Sequence, residues 1–175
     1  MRKVVKYIFL LILCIVNHFA YSQTTETELK VAYIERFTRF IEWPEKFENN
    51  TCRIAVIGKN PFDMSLDELF ANVKIKNQNT ELIYTDRLSD LTNANLVFIS
   101  GSEKKRIKEI LTLIGEKPIL IISDTKGFCD MGTHINMFLD GKHIRFEINE
   151  EAIEKSGLKI SSLLLASAKI VKTND

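Results

Sequence analysis

Three apolar runs end in the small polar residues that binding and catalysis often use: Gly58 closes Arg53–Gly58, Ser100-Gly101-Ser102 follows Leu96–Ile99, and Ser123-Asp124 closes Ile119–Asp124. If these runs are parallel strands, their ends line one crevice, where open α/β sheets take their ligands. Serines there can also leave helix N-termini facing an anion. The plainer alternative is that each serine caps the helix that follows. Nucleophilic chemistry has little support, because no GxSxG occurs and the histidines outside the first 22 residues, His134 and His143, have no serine or cysteine fixed beside them. Two histidines without CxxC or HExxH also make a poor metal set. GKNPF after the first run has a single glycine, and neither GxGxxG nor GxxxxGK[ST] appears, so a nucleotide cofactor is unsupported. The expectation is a protein without catalytic group, metal or cofactor.

A second candidate surface is the stretch from Ile135 to Asn149, INMFLDGKHIRFEIN. Asp140-Gly141 signals a two-residue type I′ turn between alternating strands. With that loop, Leu139 opposes Lys142, Met137 opposes Ile144 and Ile135 opposes Phe146 on a face that packs on a core. The other face pairs His134 with Glu147, Asn136 with Arg145 and Phe138 with His143. Asn136, Phe138, Arg145 and Glu147 thus form a mixed polar and aromatic surface on a rigid hairpin. The alternative is an ordinary solvated face, or one covered by the final helix. Trp43, at the Trp43-Pro44 corner, is a further candidate anchor for a partner, with a core tryptophan as the competing reading.

The elements that position these residues can be read in order. Thr25-Glu26-Thr27-Glu28 fits a capping box, and Leu29, Ala32, Tyr33, Phe37, Phe40 and Ile41 recur at helical spacing. This helix runs to about Glu42, stopped by Trp43-Pro44. A helix is expected from about Phe62 to Ala71, and a weaker strand or hairpin over Val73 to Asp86, turning at Asn77-Gln78-Asn79. Another helix spans Glu103 to Ile114. Asn149 caps the next, with Glu150 and Glu151 in its first turn and Gly157 as its stop. Ser161 or Ser162 starts a last apolar helix over Leu163 to Val171. The unalternating runs suit strands buried on both faces. Their alternation with helices predicts a mostly parallel sheet, to which the hairpin adds antiparallel strands.

The chain has 175 residues, 45% hydrophobic and 27% charged, with net charge +1. Acids balance Lys and Arg along its length, which argues against a nucleic-acid partner, and Lys104-Lys105-Arg106-Lys108 reads as a solvated helix face. Arg2, Lys3 and Lys6, an apolar stretch from Ile8 to Val16 and the small-x-small site Ala20-Tyr21-Ser22 form a secretory signal peptide over residues 1–22. A lipoprotein site at Cys14 is the rival, against which Leu13 stands where a small residue is needed. Residues 23–175 are then one exported domain. If the strand that starts at Cys52 and the one that ends before Cys129 are parallel neighbours, the two cysteines lie at opposite sheet edges, some 15 to 20 Å apart at ~3.3 Å per residue, too far for the ~7 Å Cα limit of a disulfide.

Taken together and in this order, FTRFIEWP, IAVIGKNPF, LVFIS, ILIISD with GF after it, the INxF…RFEIN hairpin and SGLKISSLLLASAKIV resemble the YfiR family of periplasmic regulators. The resemblance implies an α/β fold with a Rossmann-like three-layer core, a mostly parallel sheet and an antiparallel C-terminal hairpin. It also implies a non-catalytic protein that binds and inhibits a membrane-bound diguanylate cyclase or other sensor through its periplasmic domain, and that is itself captured by an outer-membrane lipoprotein. A homodimer and a bound small ligand are further implications. The chain departs from the family's Gly-Gly-Met-Ile-Asn at Gly132-Thr133-His134-Ile135-Asn136, and neither cysteine keeps the family's disulfide partner. Two functions stay open: a regulator acting through its surface, and a small-molecule receptor whose crevice lies near Gly58, Ser100 and Ser123.

Overall fold

The computed structural model describes residues 26–45, 47 and 50–173; the expected leader and its cleavage site lie outside them. Helix α1 (residues 26–40) gives way directly to β1 (Ile41–Glu42), which is extended because it pairs antiparallel with β8 (Lys159–Ile160). Between them come β2 (Thr51–Ile57), α2 (Ser65–Phe70), β3 (Asn79–Thr85), β4 (Leu96–Ile99), α3 (Ile107–Ile114) and β5 (Leu120–Ser123). The hairpin β6 (Ile135–Asp140) and β7 (His143–Asn149) leads into α4 (Glu150–Lys155), and after β8 follow α5 (Ser162–Leu165) and β9 (Lys169–Val171). Seven strands form one sheet in the order β3-β2-β4-β5-β6-β7-β9, parallel throughout except for the β6–β7 pair. The expected α/β class, with its mostly parallel sheet and antiparallel hairpin, is therefore what the chain adopts.

Alternation within each strand divides the core between two faces. Ile54, Val56, Leu96, Phe98, Leu120, Ile122, Ile135, Met137 and Phe146 pack with α1, α2, α4 and α5 on one face. Ala55, Ile57, Val97, Ile99 and Ile121 pack with α3 and with the 3₁₀ turn at Leu88–Asn93 on the other. Every residue of β4 and β5 is buried, as their unbroken apolar runs require. Phe62 meets Phe98 edge-on at 4.6 Å between ring centres, both fully buried.

Four local expectations change. Helix α1 buries Val31, Ile34 and Phe37, whereas Leu29 and Ala32 are exposed and Tyr33 and Phe40 only half-buried, because the apolar surface of this helix is wider than the stripe its core needs. The last helix is a single turn, after which Lys169–Val171 adds a parallel strand beside β7. Polar Asn79–Thr85 is an edge strand parallel to β2, preceded by a tight turn in which Ile75 bridges Gln78 and both Lys76 and Asn77 take positive φ. The hairpin loop is Gly141-Lys142 rather than Asp140-Gly141, so Asp140 opposes His143, Phe138 opposes Arg145 and Asn136 opposes Glu147. Gly141, at φ +63°, occupies the first central position, as a type II′ turn demands.

Candidate functional site

The residues singled out by sequence fall at opposite edges of the sheet. Gly58, Ser100, Ser123 and Asn136 lie along the edge where the parallel strands end, and the hairpin overhangs it, because β5 pairs with β6 only through Ile122–Ile135 and Ser123–Asn136. Trp43 lies at the far edge. Its indole N–H donates to the carbonyl of Asn95, just before β4, at 3.1 Å, and its ring meets Phe47 edge-on at 5.2 Å. A cavity of about 210 Å³ opens there, with Trp43, Arg53, Asn95 and Lys117 in its lining.

At the strand ends the polar groups bond to one another. Gly58 has φ +87°, and a Cβ built on it would stand 2.3 Å from Ser102 Oγ and 2.7 Å from Glu103 Oε1, so only glycine lets the next loop close over β2. Ser102 Oγ accepts the Lys59 N–H at 2.9 Å, and Ser100 Oγ accepts the Ser102 N–H at 3.5 Å. Ser100 is thereby a cap on the 3₁₀ turn Gly101–Lys105. Glu103, buried at the same place, is held by Arg106 at 2.6 Å. Ser123, fully buried, donates to Asn136 Oδ1 at 2.5 Å. Next to it Asp124 accepts from Lys30 of α1 at 2.9 Å, and Glu26 flanks the same ammonium. Lys30 gave no signal in the sequence, since its partner Asp124 lies far away along the chain.

The hairpin's second face divides into a dry half and a wet half. Near β5, His134, Asn136 and Asn149 are buried beneath the turn Cys129–Met131, where Asn149 Nδ2 donates to the Cys129 carbonyl at 3.0 Å and to Thr173 Oγ1 at 2.9 Å. His134 Nδ1 accepts the Ile121 N–H at 3.2 Å, which leaves the ring proton on Nε2, and burial pushes the imidazole pKa down to about 3. Thr133 Oγ1, His134 Nε2 and Asn136 Nδ2 have no hydrogen-bond partner among the described residues. Toward the tip, Phe138 is half-buried and the Arg145 side chain is 62% exposed, its nearest acid being Asp140 at 3.9 Å. Glu147 does not pair with Arg145. It accepts from Lys169 of β9 at 2.7 Å, and that contact raises the lysine pKa.

Cys52 and Cys129 are buried free thiols, and burial pushes both up to about 12. Among the described residues no group of three His, Cys, Asp or Glu could hold a metal ion, and no helix is long and apolar enough to cross a membrane.

Two solved structures share this architecture. A conserved domain protein from Vibrio cholerae is 12% identical, with 83% of this chain and 60% of that chain covered, at a TM-score of 0.55. An ABC domain in complex with L-Trp from Streptococcus pneumonia is 8% identical, with 72% of this chain and 57% of that one covered, at 0.52. At such identities the likeness is one of fold, and the present chain spans less than two thirds of the length of either. Residues 27–169 match the family model described as YfiR/HmsC-like, and on that match, over most of its length, the chain belongs to the YfiR/HmsC-like family of periplasmic regulators.

Proposed function

We propose that this protein is a non-catalytic periplasmic regulator that holds a membrane-bound diguanylate cyclase inactive by occupying its sensory domain. Membership of the family supports the class of function. The observation that carries the residue-level reading is the outer part of the hairpin, where an exposed Arg145 lies opposite a half-buried Phe138 on two paired strands. A rigid strand pair presenting an arginine beside an aromatic ring gives a partner a charged anchor at low entropic cost. The reading includes export by cleavage near Ser22, a mature domain over residues 23–175, a homodimer, and release by an outer-membrane lipoprotein.

The receptor reading has less support. The Gly58 N–H donates to the Thr85 carbonyl, Ser100 Oγ accepts from Ser102 Oγ and Ser123 Oγ donates to Asn136, so these groups are engaged with one another and with neighbouring strands instead of converging on open space. The fold neighbour that holds L-Trp is alike in fold alone.

Arg145→Glu tests the proposal. The exposed side chain makes no close ion pair, so its reversal should change stability by no more than about 0.5 kcal/mol. Cellular cyclic di-GMP should nonetheless rise to the level seen when the protein is deleted. Unaltered cyclic di-GMP in both the deletion strain and the variant would remove the cyclase from the proposal. A rise on deletion but none with Arg145→Glu would move the contact away from the hairpin.

A further inference from the structure

Trp43 lines two cavities. Besides the one it shares with Arg53 and Lys117, it borders a second of about 460 Å³ together with Glu42, Glu45, Phe47, Lys76 and Gln78. That volume falls within the roughly 300–1,000 Å³ of small-molecule sites. Its walls are held by bonds within the fold. Glu42 is fixed in β1 by backbone pairing with Lys159, the indole N–H of Trp43 is engaged with the Asn95 carbonyl, and the buried Phe47 packs edge-on against the indole ring. Gln78 is set by the tight turn in which it exchanges two backbone hydrogen bonds with Ile75.

These walls offer mainly acceptors. Glu42 and Glu45 are exposed and make no ion pair among the described residues, although Lys159 lies opposite Glu42 across the β1–β8 pair. Gln78 Oε1 is buried and has no hydrogen-bond partner among the described residues, which is unfavourable unless something donates to it. Lys76, the cation among the described lining residues, donates to the Arg39 carbonyl at 3.1 Å. Two carboxylates against one ammonium leave the cavity net negative, beside an indole whose electron-rich face attracts positive charge. Carboxylate and ring therefore select the same kind of ligand.

We infer that this cavity binds a small organic cation, an amine or quaternary ammonium compound, with its charged head against Trp43 and the two glutamates and a hydroxyl or N–H donated to Gln78. An anion would meet the two carboxylates, and a purely apolar ligand would leave Gln78 Oε1 unsatisfied. The site lies at the sheet edge opposite Gly58, Ser100 and Ser123 and includes no residue of the hairpin, so it is independent of the cyclase reading.

Trp43 is the only tryptophan of the chain, so its fluorescence reports on the cavity directly. Choline, putrescine and the uncharged carbon isostere of choline, in which a tert-butyl group replaces the trimethylammonium, are titrated into the purified protein, with acetate as the anionic control. Choline or putrescine should perturb the emission saturably and bind at least tenfold more tightly than the isostere, with the gap narrowing at high salt. Acetate should leave the emission unchanged. Glu42→Gln and Glu45→Gln should each weaken the cation severalfold, the double variant should lose most of its advantage over the isostere, and Lys76→Met should strengthen it. Arg145→Glu should bind as wild type does, which separates this inference from the hairpin proposal, since either can fail without the other. Both glutamates are exposed, and circular dichroism keeps the comparison on folded protein. Absence of saturable binding by both cations, equal binding of choline and its isostere, or a preference that survives unchanged in the double variant would overturn the inference.

Discussion

The two halves of the sheet are built on one plan and finished differently. Through β4, β5 and the Ile54–Ile57 stretch of β2 the strands are covered on both sides and every residue is buried. Toward the tip of the hairpin only the α1 side is sealed, so burial on β7 alternates residue by residue and fades toward the turn. The first half supplies cohesion. The second uses it, because strands anchored in a packed sheet keep their geometry while one set of side chains stays free to meet another molecule.

The largest test of this contrast is the loss of one aromatic ring from each half. Phe98→Ala, in the covered half, should cost about 3–5 kcal/mol in chemical denaturation, since it removes the ring against which Phe62 packs and leaves a cavity. The matching change in the hairpin is the smallest of the series and closes it below.

At the seam between the halves, Asn149→Ala removes the side chain that caps α4 through the Ala152 N–H at 3.0 Å and ties β7 to the Cys129 turn. A cap is worth roughly 0.5–2 kcal/mol and a stranded buried carbonyl about 1–3. The expected loss is about 2–3 kcal/mol, and a variant as stable as wild type would show that Asn149 does not hold the seam together.

His134, at the same seam, makes stability depend on pH. Its folded pKa is depressed to about 3 while the unfolded chain keeps the ordinary value near 6.5, so the unfolded state takes up the proton first. The contribution of His134 is complete above pH 6.5 and is lost as pH falls toward 3, at about 1.4 kcal/mol per pH unit. His134→Gln, which retains an acceptor for the Ile121 N–H, should show a flatter fall in melting temperature between pH 6.5 and 4. Parallel curves for the two proteins would mean that the ring titrates normally.

Phe138→Ala completes the series with a loss of about 1 kcal/mol, because its ring is only half-buried. Were it to cost as much as Phe98→Ala, the distinction between a cohesive and a presenting half would fail.

How far each half can be read from the sequence follows the same division. Leu96–Ile99 and Leu120–Ser123 are legible because burial on both faces demands an unbroken apolar run, a pattern that local sequence carries in full. The hairpin's faces are legible too, but its register is not. A loop at Asp140-Gly141 and one at Gly141-Lys142 send the same residues inward, so alternation cannot choose between them. Cross-strand chemistry chooses. The observed register sets Leu139 opposite Ile144 and Ile135 opposite Ile148, where the other would set Leu139 opposite Lys142. The strand Lys169–Val171 and the pair Ile41–Glu42 with Lys159–Ile160 are hidden for another reason: each is extended only because a distant strand lies beside it. The polar cluster around Gly58 is equally out of reach, since Ser102 and Glu103 approach it only after the sheet has assembled.

The pairing of β1 with β8 also sets an order of events. Ile41, early in the chain, acquires its partner only when Ile160 arrives, and Phe37 of α1 meets its edge-on neighbour only with Phe146. A chain that emerges N-terminus first therefore seats its opening helix in part on β2, β4 and β5, and completes that seat only when Phe146 and Ile160 have followed. Native contacts that close so late slow the search for the final topology. They also leave the leading segment available to whatever handles the nascent polypeptide, so this fold is latched by its last residues.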